Sequence, residues 1–238
     1  DSVTVSGGLI GVEGSGTVCG GYASSGTAQS NTVAIYGGTI GSSYSSHESA
    51  EGYVYGGRVE GGTAIGNRVI LKGGTLGGTN GGADDTGIGY VYGGYVSGDG
   101  TAEDNTVTIS SGVIGETSGY GYGGYAKNGT AKNNKVIMKD GQVDTLAPQT
   151  SDYVYGGCVS SGTAEGNTVT LSGGTIGNTS GTVAGGYVSA GGTAQSNSVI
   201  VSGGIIGVSN GTIYGGYAAN GKAQSNSVIV SGGAIGSQ

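Results

Sequence analysis

Seven times along this chain an Asn opens a Val-rich segment, at Asn31, Asn67, Asn105, Asn134, Asn167, Asn197 and Asn226, and Asp1 holds the equivalent place at the start. Successive anchors lie 29 to 38 residues apart. A fixed period of this size belongs to stacked repeats, in which each unit buries its apolar face only against its neighbours. The units run 1–30, 31–66, 67–104, 105–133, 134–166, 167–196 and 197–225, with a partial unit 226–238. Together they form one elongated repeat domain.

Each unit opens on Asn-x-Val-x-Ile, as in Asn105-Thr106-Val107-Thr108-Ile109. Apolar and polar residues alternate there, which is the pattern of a half-buried strand. Gly-Gly-x-Ile-Gly follows, as at 173–177, then a stretch of variable length, then Val-Tyr-Gly-Gly as at 54–57, and finally Gly-Thr-Ala as at 100–102. No window carries helical spacing of apolar residues, and the 59 glycines oppose helix throughout. At the ends of short strands glycine supplies tight corners instead. The Gly pairs at 7–8, 37–38, 73–74, 173–174, 203–204 and 232–233 mark such corners, with Ser111-Gly112 and Asp140-Gly141 in their place in two units.

The expected fold is an all-β parallel β-helix, or β-solenoid, with about one coil per repeat; two coils per repeat is the other packing open to these lengths. Stacking at about 4.8 Å per rung aligns three inward columns. The first runs Val3, Val33, Val69, Val107, Val136, Val169, Val199 and Val228. The second is Val5, Ile35, Leu71, Ile109, Met138, Leu171, Val201 and Val230, and the third Ile10, Ile40, Leu76, Ile114, Val143, Ile176, Ile206 and Ile235.

A net charge of −7 without any basic stripe excludes nucleic acid as a partner. No run of about 20 apolar residues is present to span a membrane. Cys19 and Cys158 sit in different columns several repeats apart, too far for a disulfide. No Cys-x-x-Cys or calcium-ligating Gly-Gly-x-Gly-x-Asp repeat occurs, so neither a metal nor a cofactor is expected. His47 is the one histidine, and the acids Glu13, Glu60, Glu116 and Glu165 fall at different phases of the unit, so no carboxylate pair is expected to converge and no enzyme is read. Neither end carries an atypical capping unit, which suggests a slice of a longer repeat protein or a subunit that stacks on itself.

Four features could carry recognition. The Asn column reads as a structural ladder of stacked amides. A Tyr column before the Gly pair holds Tyr55, Tyr92, Tyr122, Tyr155 and Tyr214, interrupted by Cys19 and Ala184; one after it holds Tyr22, Tyr95, Tyr125, Tyr187 and Tyr217, interrupted by Arg58 and Cys158. Flat rings could receive sugar or protein, or simply stack on one another. Insertions at Ser42–Gly52, Gly78–Gly89 and Asp144–Asp152 project from one edge, where His47, Asp84 and Asp85 are candidate ligand contacts. The outward stripe Thr4, Ala34, Ile70, Thr108, Ile137, Thr170, Ile200 and Ile229 raises ice binding, but Ile together with Arg68, Lys72, Lys135 and Lys139 breaks the Thr face that ice would need.

The strings Val-Tyr-Gly-Gly-Tyr, Gly-Thr-Ala-x-x-Asn-Thr-Val-Thr-Ile and Ser-Gly-Gly-x-Ile-Gly together resemble the passenger regions of large autotransporter-like adhesins of anaerobic Gram-negative bacteria. The resemblance covers essentially the whole chain and is weakest in unit 134–166, with Asp140 and Pro148. It implies a right-handed coil, display at the outer membrane, extracellular location, and binding to host or bacterial cell-surface glycan or protein, with no catalytic residue to carry over. The expected function is therefore an adhesin or its rigid stalk. The alternative of a different class is a structural subunit that stacks end to end into an extracellular fibre.

Overall fold

The computed structural model describes residues 1–42, 49–79, 86–145 and 151–236, and every regular element in them is a β-strand. The first unit gives β1 (Ser2–Val5), β2 (Leu9–Val12) and β3 (Gly16–Gln29), and the second gives β4 (Thr32–Ile35), β5 (Thr39–Ser42) and β6 (Ser49–Ile65). The third holds β7 (Arg68–Gly78) and β8 (Thr86–Glu103), the fourth β9 (Thr106–Ile114) and β10 (Ser118–Lys132). The fifth holds β11 (Lys135–Met138), β12 (Gln142–Val143) and β13 (Ser151–Glu165), and the sixth β14 (Thr168–Leu171), β15 (Thr175–Ile176) and β16 (Ser180–Gln195). Last come β17 (Ser198–Ile206), β18 (Asn210–Ala218), β19 (Lys222–Gln224) and β20 (Ser227–Ile235).

Strand pairing is parallel and joins each segment to its counterpart one unit away. The opening segments pair in the order β1, β4, β7, β9, β11, β14, β17, β20, and the long third segments in the order β3, β6, β8, β10, β13, β16, β18. Along the opening segments register is kept residue for residue: Val33 lies beside Val69, Val69 beside Val107 and Val107 beside Val136. Six strands, β9, β11, β14, β17, β15 and β12, close a ring of pairings. The expectation of stacked parallel strands is met, but these six form a closed parallel barrel rather than plainly a β-helix. The cause is local. β9 and β17 run unbroken through the corner after the opening segment, whereas the two units between them break there into separate strands.

That corner explains the Gly pairs. The second residue of each pair has φ between 85° and 101°, a conformation costly for any residue with a Cβ. The first has no such constraint, so Ser111 and Asp140 can stand there while Gly112 and Gly141 remain.

The interior is divided in two. From the second unit to the seventh the three apolar columns, joined by Val18, Val54, Val91, Val154 and Val183 from the third segments, form one continuous and essentially inaccessible core, whereas their last members Val228, Val230 and Ile235 are exposed, contrary to the inward placement expected for them. A second cluster lies apart from it, with Val59, Val96, Ala126, Val159 and Val188 packed on Ala28, Ala64, Ala102, Ala131, Ala164 and Ala194. Between the two cores the coil is pinched. A Cβ on Gly56 would lie 2.5 Å from the Gly93 carbonyl and 3.1 Å from the Arg68 amide, and one on Gly57 would enter the Asn67 side chain. Backbone meets backbone at this waist, so both residues of each Tyr-Gly-Gly must be glycine.

The Asn side chains run through the waist. Asn67 Nδ2 donates to Asn105 Oδ1 at 2.9 Å and to the Ala28 carbonyl at 2.9 Å, while Asn67 Oδ1 accepts from the backbone N–H of Asn31 at 3.0 Å and from Asn31 Nδ2 at 2.8 Å. The same bonds repeat at Asn105, Asn134, Asn167 and Asn197. Each interior Asn thus uses both amide hydrogens and both oxygen lone pairs where water cannot reach, which is where a lost partner costs most. Asn105→Ala is expected to destabilise the protein by about 3 kcal/mol or more, whereas Asn226→Ala, at a part-exposed position where water replaces the lost bonds, costs less than half as much. Urea unfolding of both variants checks the difference, and equal losses would mean that the interior bonds add nothing.

Candidate functional site

The third segments present tyrosines on their outer face. Valines at alternate positions point into the large core, which turns Tyr53, Tyr90, Tyr120 and Tyr153 outward, a column the sequence reading overlooked although alternation from Tyr55 predicts it. The rings stack along the column direction, at 4.8 Å for Tyr53–Tyr90 and Tyr90–Tyr120 and 5.2 Å for Tyr55–Tyr92, with interplanar angles of 4°, 11° and 7°. Tyr92–Tyr122 and Tyr187–Tyr217 continue the pattern at 4.9 and 4.8 Å. Across the Gly pair the contact is edge-on: Tyr92 and Tyr95 are 4.9 Å apart at 69°. The waist leaves a dip on this surface, and the column before the Gly pair sinks into it, with Tyr55, Tyr92 and Tyr155 buried.

The faces of the stacked rings are therefore spent on one another. What they leave for a partner is ring edges and hydroxyls. Burial pushes the phenols of Tyr55 and Tyr90 up to about 12 and those of Tyr92 and Tyr122 well above the usual value, so these phenols stay uncharged in neutral solution. Burial also lifts the Cys158 thiol to about 12, and Cys19 and Cys158 are both free. Neither is a ready thiolate.

The insertions share one corner. Ser42 pairs with Gly78 before the inserted residues, and Ser49 pairs with Thr86 after them. Thr79 anchors the exit from β7 by donating both its N–H and its hydroxyl to Glu116 Oε2 at 2.8 Å, and Thr86 Oγ1 donates to Ser49 Oγ at 2.8 Å. His47, Asp84 and Asp85 lie outside the described residues, as do 146–150 of the third insertion. Among the described residues no three His, Cys, Asp or Glu side chains converge to hold a metal ion, and no helix is long and apolar enough to cross a membrane.

At the same corner one sequence-based expectation fails. The acids were read as dispersed, yet Asp144 and Asp152, at the two ends of the third insertion, meet in the interior. Each replaces a glycine of its column. Asp144 stands where Gly115 and Gly177 stand and keeps their positive φ, at 68°; Asp152 pairs with Gly181. In other units a Cβ at the Asp152 position would collide with the backbone across the corner, so the two departures occur together. The Gly119 N–H donates to Asp152 Oδ1 at 2.6 Å. Burial, with Asp144 beside it, raises the Asp152 carboxyl far above the ordinary carboxylate range, to about 8.

The sign of the consequence follows from proton counting. The unfolded chain gives up this proton near pH 4, while the folded chain holds it until about 8. The pair's contribution is fully present in acid and is lost as pH rises through that window. Thermal melts between pH 5 and 9 should show Tm falling with pH, and the double variant Asp144→Gly, Asp152→Gly, which restores the glycines of the other units, should flatten the fall. An unchanged pH slope in the double variant would count against the pair.

Searches of protein-family models, curated proteins and solved structures each find no match to this chain. The residues themselves carry the functional argument.

Proposed function

We propose that the chain is a right-handed parallel β-solenoid with one coil per repeat, displayed outside a bacterial cell as an adhesin or as the rigid stalk of one. The reading of one coil per unit is supported by the pairing of every segment with its counterpart one unit along. The six-strand ring then arises where a coil passes its corner without a break. Handedness, surface display and the adhesive role come from the likeness to passenger repeats.

The observation that carries the functional reading is that the residues flanking all three insertions lie at one corner of an otherwise regular stack. Repeat scaffolds vary where variation does not disturb stacking, and aligned loops on a stiff rod make one recognition edge. The regular part supplies stiffness: two cores, a pinched waist and a continuous amide ladder leave no hinge within the paired units. The partner proposed is a cell-surface glycan or protein.

The test replaces 43–48 and 80–85 by short Gly-Ser turns and compares both forms for binding to immobilised glycans and to intact host and bacterial cells. Binding by the unaltered chain that is lost on trimming, with Tm preserved, is the expected outcome. Binding that survives trimming would move the recognition surface elsewhere, and no binding by either form would reduce the reading to a stalk.

A further inference from the structure

The tyrosine column that follows the Gly pair is broken once by a cation. Arg58 pairs with Tyr22 on one side and Tyr95 on the other, so its guanidinium occupies the place of a ring in the ladder. Its Cζ lies 5.9 Å from the ring centre of Tyr22, 5.3 Å from that of Tyr55 and 6.0 Å from that of Tyr95. Three rings hold the group in place by cation–π attraction, yet they satisfy none of its N–H donors. No carboxylate among the described residues pairs with it, and Nε is buried without a hydrogen-bond partner. Glu60, two residues along β6, accepts instead from the Tyr22 hydroxyl at 2.7 Å.

Tyr55 and Tyr95 are themselves stacked on Tyr92 and Tyr125, which fixes the frame around the guanidinium. A guanidinium with no carboxylate partner among the described residues makes a local anion-attracting spot on a protein of net charge −7. Its planar fork matches a carboxylate with two parallel hydrogen bonds. Tyr22 is 58% exposed, so the spot can be reached from solvent.

We infer that Arg58, framed by Tyr22, Tyr55 and Tyr95, is the anchor of a binding site for the carboxylate of an acidic saccharide. A saccharide fits better than a peptide because β6 is already paired on both sides, with β3 and β8, and offers no free edge for an added strand. The face offers rows of phenol hydroxyls, which suit a polyol lying along the stack. This site lies on the tyrosine face and needs none of the inserted residues, so it stands or falls independently of the insertion corner.

The test titrates trigalacturonate into the unaltered protein and follows the Arg58 Nε–H resonance, with neutral galactotriose and a sulfated galactotriose as parallel probes. Trigalacturonate is expected to shift that resonance with saturable binding, the neutral trisaccharide is expected to leave it unmoved, and the sulfate ester is expected to bind more weakly. Arg58→Tyr completes the ring column and so preserves stacking; it should weaken trigalacturonate binding at least tenfold with Tm retained. Arg58→Gln serves the same purpose if the tyrosine variant does not fold, and Arg58→Lys, which keeps charge but loses the fork, should fall between. An unmoved Arg58 resonance with trigalacturonate, undiminished binding by the charge-free variants, or a preference for the sulfate ester would each overturn the assignment.

Discussion

The interlock between an asparagine amide and a glycine pair holds this architecture in place. The amide ladder needs backbone from the facing segment to come within van der Waals distance, and only two successive glycines allow that approach. The glycines gain from the ladder in return, because it satisfies polar groups that the pinch has shut away from water. Neither column could change alone. Removing the amide would leave buried donors without acceptors, and adding a methyl to the facing glycine would drive it into the amide. This mutual dependence explains why the Asn recurs at every full unit boundary while the residues around it drift.

The waist also organises the surface. Pinching the coil creates a dip outside as well as two cores within, and tyrosines fill that dip because a flat ring can stack on its own kind at the spacing the strands impose. Where the ladder is interrupted, the substitute is itself planar in the case of Arg58, or small, as with Ala184, Cys19 and Cys158. Unit 134–166 departs in a different way. Two glycines that face each other across its corner are replaced together by acids, so a steric constraint elsewhere becomes an electrostatic one here.

Much of this was legible in the residues. Alternation at period two gave the inward columns, and the invariance of the second residue of each corner pair reflects its positive φ. The waist was harder to see. Val54 and Val59 both point inward although they are separated by an even number of residues, which strict alternation forbids; the intervening Gly pair carries the irregularity. That parity break was available in the sequence, but period two alone does not say whether two inward columns share one cavity. The Asp144–Asp152 pair was missed because the acids were compared by phase across units. Comparing each with the glycine it replaces would have flagged both. Of the candidate contacts at the insertion corner, His47, Asp84 and Asp85 sit where periodicity stops, and repeat logic has nothing to say about them.

The amide ladder has a polarity. Every interior Asn donates one side-chain N–H to the Asn of the unit that follows and receives through its oxygen from the unit before. Amide dipoles aligned head to tail add, as peptide dipoles do in a helix. A rung exposed at one face of the stack therefore shows an acceptor, and a rung exposed at the other shows a donor. Two such rods can continue each other's ladder only head to tail. Joined head to head or tail to tail, they would set oxygen against oxygen or N–H against N–H at a place in the cross-section where water is excluded. The asparagines thus give the stack a direction as well as a register.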